Sequence, residues 1–152
     1  MTITSQTYID RLKVQPSECS CKKCQRMCHA PCCGSVEDFE KIIEAGYANR
    51  LMFDDLPSTP AAGPFLKPAL KGSEGKQAPW ATSSEEGCTF WKEGKCELHS
   101  LDLKPIQGRL AIHNGNGKTT GEEYSSISNE DWESQRGKDL IEKWKRLVGY
   151  NE

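Results

Sequence analysis

Apolar residues recur at helical spacing in three places along this chain. At 35–46, Val36, Phe39, Ile42 and Ile43 share one face. Ser35 can cap that face, Asp38 sits three residues on as a weak capping-box partner, and Gly46 is a natural stop. The spacing predicts a helix over 35–46. At 129–148, Trp132, Leu140, Ile141, Trp144, Leu147 and Val148 form a longer stripe. Ser128 can cap it, Asp131 closes a weak box, and Gly137 slightly weakens its middle. The third stretch is short: Tyr8, Ile9 and Leu12 within an otherwise polar 1–18.

Between these the pattern changes. Residues 88–98, CTFWKEGKCEL, read as a hairpin around a three-residue turn of Lys92, Glu93 and Gly94. In that register Phe90 opposes Cys96 and Cys88 opposes Leu98, so both cysteines lie on one face as diagonal neighbours. Residues 54–87 are rich in Pro, Gly, Ser and Lys with no sustained period. They predict a long irregular connection, with one short strand suggested around 66–70. Residues 114–127 are polar and Gly-rich and predict another loop. No internal repeat or heptad run is visible. The expected fold is a single domain over 1–152, α+β, helix-rich, with much irregular structure.

Composition adds a constraint. Hydrophobic residues make up only 36% of the 152 and mean hydropathy is -0.70, so apolar burial looks thin for a domain this size. A metal or disulfide staple is the usual supplement. The net charge of -2 gives no general attraction to nucleic acid or anionic lipid. No stretch approaches the roughly 20 apolar residues of a membrane span. The first residues, MTITSQTYIDRLKVQ, lack an apolar run and a small-residue cleavage site, so a cytoplasmic location is expected. Thiols are kept reduced there, and metal ligation becomes the better use of cysteine than disulfide formation.

Of the eight cysteines, Cys19, Cys21, Cys24, Cys28, Cys32 and Cys33 fall within 19–33, and Cys88 and Cys96 stand on the hairpin. Zinc takes four N or S ligands in a tetrahedron, and closely spaced cysteines supply two from one turn. Cys21 and Cys24 have C-x2-C spacing. Cys24 and Cys28 share a face if helical, and Cys32 repeats that offset, although Pro31 interrupts an unbroken helix. Adjacent Cys32 and Cys33 point different ways in most backbones: they serve two sites, or one ligates while the other packs. Cys19, at the outer edge, is the easiest to read as a bystander. Eight cysteines permit two four-thiolate sites or one site with spare thiols. Zinc is favoured, with an iron–sulfur cluster the alternative, since both prefer thiolate. Two hairpin thiolates make half a tetrahedron, so a site shared with the first block is expected, with Cys24 and Cys28 the first choice to complete it.

The sequence resembles the cysteine-cluster proteins described as zinc- or iron-chelating domains, over about residues 19–113. Their first block, C-x-x-C-x-x-C-C, is matched loosely by Cys24, Cys28, Cys32 and Cys33. Their second, C-x-F then C-x-I/L-Y/H then R/K-P-x-x-C-R, is matched by Cys88, Phe90, Cys96, Leu98, His99, Lys104, Pro105 and Arg109. The resemblance implies a cysteine-ligated zinc or iron site. One departure matters: the cysteine expected before the final arginine is Gly108 here, so extra cysteines at the front, or a histidine, would have to replace it.

Other features are weighed and set aside. His99 lies three residues after Cys96 and could ligate, but a surface role is favoured. His29 adjoins Cys28 awkwardly, and His113 is a weaker candidate. The run Gly115 to Thr119 resembles a phosphate-binding loop but has Ile112 where its first glycine belongs, so it reads as a flexible turn. Lys22, Lys23 and Arg26 offset thiolate charge more simply than they bind nucleic acid, because no basic stripe continues elsewhere. Trp132 and Trp144 read as core. No catalytic motif is recognisable. The sequence thus favours a structural metal with a surface that recruits another protein. An iron-dependent enzyme or subunit is the alternative, and a zinc-knuckle nucleic-acid binder a weaker one.

Overall fold

Ser35 starts the helix on which the larger core is built. Its side chain accepts the Asp38 N–H, and the Asp38 carboxylate accepts the Ser35 N–H, both at 3.0 Å. This reciprocal box fixes the start of α2, Val36–Glu44, whose Val36, Phe39, Ile42 and Ile43 are buried as the spacing predicts. The chain leaves at Gly46 with φ +95, a backbone that favours glycine.

The structure is a computed structural model that describes residues 2–16, 30–55, 64–80, 86–110 and 121–151. Among these residues it is a small α+β fold. In chain order come α1 (Ser5–Leu12), α2, a short 3-10 turn (Ala48–Arg50), β1 (Leu51–Asp54) and β2 (Phe65–Pro68). There follow β3 (Trp91–Lys92), β4 (Lys95–Cys96), α3 (Glu97–Ser100), α4 (Ile106–Leu110), α5 (Glu122–Trp132) and α6 (Gln135–Val148). Antiparallel β1 and β2 form one sheet, pairing Leu51 with Pro68 and Asp54 with Phe65, and β3 and β4 form the other. Among the described residues no helix is long and apolar enough to cross a membrane.

Two apolar clusters organise the molecule. The larger gathers α2, both sheets and α6 around Phe39, Phe53, Phe90, Trp132 and Trp144. The smaller packs α1, α4 and α5 through Tyr8, Leu12, Ile106, Leu110, Tyr124 and Ile127. The α5 helix feeds both, Trp132 into the first and Tyr124 into the second.

Four expectations are corrected. The helix expected over 129–148 is two helices: Glu133 and Ser134 separate α5 from α6. Ser134, not Ser128, is the cap, accepting the Gly137 N–H at 3.1 Å, while Ser128 is buried within α5. Gly137 is there because any Cβ would lie 2.5 Å from the Trp132 carbonyl oxygen. The loop expected over 114–127 is helical from Glu122 onward. The irregular stretch 54–87 contains β2, close to the strand suggested at 66–70, and its 73–78 portion runs beside β1. There Phe53 N–H donates to Lys76 O at 3.0 Å, and Ala78 N–H donates to Phe53 O at 2.7 Å.

The hairpin register also differs. Trp91, not Phe90, opposes Cys96, because the turn has two residues with φ of +53 at Glu93 and +78 at Gly94. Two left-handed residues match the twist of the flanking strands. A turn at Thr89 and Phe90, closed by Trp91 N–H on Cys88 O at 2.9 Å, ends the strand early. Cys88 therefore bridges to Leu70, and Leu98 lies in α3 rather than opposite it.

Candidate metal centre

Cys32 and Cys33 arrive on a segment held rigidly by its main chain. Cys33 N–H donates to the Gln107 side-chain carbonyl at 2.7 Å, and Gln107 N–H returns a bond to Cys33 O at 3.1 Å. Trp132 Nε1 donates to Gly34 O at 3.0 Å. Val36 N–H donates to Asp131 at 3.0 Å. Gly34 admits no side chain: a Cβ would stand 2.6 Å from Pro105 Cβ and 2.7 Å from Asp38 Oδ2.

Asp38 is the hub of this seam. Besides Ser35 N–H, its buried carboxylate accepts Ser5 Oγ at 2.8 Å, Ile106 N–H at 2.7 Å and the Arg109 guanidinium at 3.0 Å. One side chain thus ties α1, the cysteine segment and α4 together. Beside it, Tyr8 donates to Asp131 at 2.8 Å. Burial raises the Asp131 carboxyl above its ordinary value, opposed by the Val36 N–H and Tyr8 hydroxyl bonds.

The two sulfurs meet different surroundings. Cys32 Sγ lies against α4, 3.0 Å from where a Cβ at Gly108 would stand. Cys33 is half-buried and packs against both apolar clusters. Burial pushes its thiol up to about 11, with Lys67 pulling down and Asp54 pushing up. Those two form a nearly dry ion pair at 2.8 Å. Cys88 and Cys96 are buried within the larger cluster itself. His99 is exposed on α3.

Two buried donors have no hydrogen-bond partner among the described residues: the Tyr124 hydroxyl and Arg109 Nε. Tyr124 shares the smaller cluster with Cys33. Burial, then the neighbouring Cys33, Tyr8, Asp38 and Cys32, pushes its hydroxyl well above the ordinary tyrosine value. An unpartnered buried hydroxyl costs about 1–3 kcal/mol, so it calls for an explanation.

Of the ligands expected from sequence, Cys19, Cys21, Cys24 and Cys28 lie outside the described residues, as do His29 and His113. Among the described residues no group of three or more His, Cys, Asp or Glu side chains is arranged to hold a metal ion. A four-ligand set therefore has to draw on the earlier cysteines. The sequence reading overlooked Gln107, Gly34 and Tyr124. Tyr124 carried a signal: Tyr124, Ile127, Ser128, Asp131 and Trp132 follow helical spacing, but the polar members hid the stripe.

No family model, no curated protein and no solved structure matches this chain. The resemblance to the cysteine-cluster domains therefore stands on the residues quoted for it.

Proposed function

We propose that this chain is a cytoplasmic cysteine-cluster protein whose thiolates bind zinc, and that the metal is structural, joining two blocks of cysteines while an outer surface recruits a protein partner. The observation that carries this reading is the density of thiols: six of the eight cysteines fall within residues 19–33, and Cys88 and Cys96 follow on the hairpin. Among the described residues Cys33 packs against the large cluster that also buries Cys88 and Cys96, although these cysteines form no group able to hold a metal by themselves. The donor chemistry fits, since clustered thiolates suit zinc. So does the close approach of Cys32 Sγ to Gly108, where a side chain would crowd the sulfur. Bound zinc would supply a cross-link between segments and no chemistry. For the partner surface, Trp80 is the best described candidate, with 70% of its area exposed and a side chain of the kind that anchors protein contacts.

Elemental analysis of protein purified without oxygen tests the metal. Colourless protein with stoichiometric zinc is expected; brown protein with iron would replace zinc by an iron–sulfur cluster. Cys33→Ser and Cys88→Ser should each lose the same metal equivalent, and the double change should cost little more than either alone. Metal-free protein, or separate equivalents lost by the two changes, would overturn the shared site.

A further inference from the structure

Residues 76–78 run beside β1 as the outer edge of its sheet. Phe53 N–H donates to Lys76 O at 3.0 Å, and Ala78 N–H donates to Phe53 O at 2.7 Å. In this parallel pairing Gln77, the residue that faces Phe53, turns its own N–H and C=O to the outer side. Neither group has a hydrogen-bond partner among the described residues, and Gln77 is exposed. A donor and an acceptor left open on one edge residue are what the main chain of an added strand completes.

The sheet also fixes where such a strand would aim its side chains. Ala78 lies with Met52, Ala69 and Leu70 on one face. Phe53 and its partner Gln77 lie on the other, where the Phe53 ring meets Tyr150 at 5.7 Å between centroids. An added residue paired with Gln77 therefore projects on the Tyr150 side. There Glu74, Gln77, Leu147, Val148 and Tyr150 line a cavity of about 590 Å³, and Leu147 is 58% exposed. Charge narrows the occupant further. Both Glu74 oxygens are already taken, one by Gly72 N–H and one by the Thr89 hydroxyl. Lys76 is exposed and forms no ion pair among the described residues, so the unanswered charge on this edge is positive. Pro79 has no N–H and ends the pairing, which leaves the side-chain contacts to supply most of the affinity.

We infer that the 76–78 edge is a docking strip for an extended peptide of a partner protein, with an apolar residue paired to Gln77 and seated beside Leu147, and an adjacent acidic residue answering Lys76. This rests on the partner-recruiting part of the reading above and not on its metal.

The probe is a capped heptapeptide with a central leucine flanked by glutamates, then valines, then threonines. It is titrated into the full-length protein and followed by amide and methyl NMR. The Gln77 amide and the Leu147 methyls should shift together with one Kd. The same peptide N-methylated at its three central residues has no N–H to give Gln77 O in either strand direction, and should bind roughly tenfold more weakly or worse. Leu147→Asp should weaken binding of the parent peptide roughly tenfold, because the new carboxylate would be desolvated. Lys76→Glu should weaken it too, and should favour a peptide with lysines in place of the glutamates. Both positions are exposed, and a thermal melt confirms that each variant folds.

No shift at millimolar peptide overturns the inference, and means that Lys76 and Pro79 merely protect the edge. Undiminished binding of the N-methylated peptide, or shifts centred away from Gln77 and Leu147, overturns it as well. Gln77 shifts that follow protein concentration without peptide would make a second copy of this chain the occupant instead. Each of these results leaves the zinc reading, which elemental analysis decides, untouched.

Discussion

Two pairs of cysteines in this molecule are held in opposite ways. Cys88 and Cys96 sit inside an apolar cluster, 3% and 7% exposed, among Phe90, Leu98 and Trp144. Cys32 and Cys33 are half-buried, and their segment is positioned by N–H bonds donated to the Gln107, Asp38 and Asp131 side chains and by one accepted from Trp132. Apolar packing is non-directional and tolerates small shifts. A buried polar network is costly to leave half-satisfied. The side chains of the first pair are thus held chiefly by apolar packing, and the segment of the second also by a buried polar network, so the two should respond differently to loss of that network.

The largest separation is expected from Asp38→Ala. It strands the Ser35 and Ile106 N–H groups, the Ser5 hydroxyl and the Arg109 guanidinium. Removing one member of a buried ion pair costs about 3–5 kcal/mol, and the lower figure applies because Arg109 is 33% exposed. Denaturant unfolding measures the loss. Thiol labelling read by peptide mapping should show Cys32 and Cys33 exposed well before Cys88 and Cys96. Equal acceleration at both pairs would mean that the seam does not open separately.

Gly34→Ala comes next, at about 1–3 kcal/mol, the usual cost of forcing atoms into a filled space. Its Cβ would meet Pro105 and Asp38, displacing the segment that carries Cys32 and Cys33 and lowering zinc uptake. A variant with wild-type stability and metal content would show that the segment can slide.

Cys88→Ala sharpens the other half of the comparison. In metal-free protein it should cost only about 1–2 kcal/mol, because it trims a small side chain from an apolar core. On the proposed zinc reading the loss with zinc present should be several times larger, since a ligand would disappear as well. Equal costs with and without metal would make Cys88 a core residue alone.

Much of this arrangement could be read in the sequence, and the failures have physical causes. The α2 helix was legible because Ser35, Asp38 and its apolar face agree. The β1 strand was not, because Leu51 to Asp54 are all buried and show no alternation. The break between α5 and α6 was hidden because the apolar stripe continues across it; only Ser134 marks the new start. Cysteine density is what points to thiolate ligation in the sequence, but Cys19, Cys21, Cys24 and Cys28 lie outside the described residues, and the described ones form no metal-holding group. The residues that hold Cys32 and Cys33 could not be foreseen, since Gln107, Asp131 and Trp132 are distant in sequence and reach the segment only through tertiary packing.

The smallest effect, and the one most specific to the polar seam, is on pH. Asp131 takes the Val36 N–H and the Tyr8 hydroxyl, and burial raises its carboxyl above the ordinary 3.8. Between that value and the folded one, the native state holds a proton that the unfolded chain has released. Asp131 therefore contributes a stability that is full below the unfolded value and lost as pH rises through the folded one. Asp131→Asn cannot ionise, yet its side-chain oxygen can still accept both bonds. The stability of the variant relative to wild type should rise as pH is taken upward from 3, then level off. Labelling of Cys32 and Cys33 should follow the same profile, whereas Cys88 and Cys96, whose neighbours Thr89 and Glu97 bond to Glu74 and Arg50 rather than to Asp131, should not follow it. Unfolding curves on both proteins at several pH values decide the matter. A relative stability that falls with pH would mean that the hydrogen bonds to the carboxylate outweigh its burial, and that Asp131 favours the charged form.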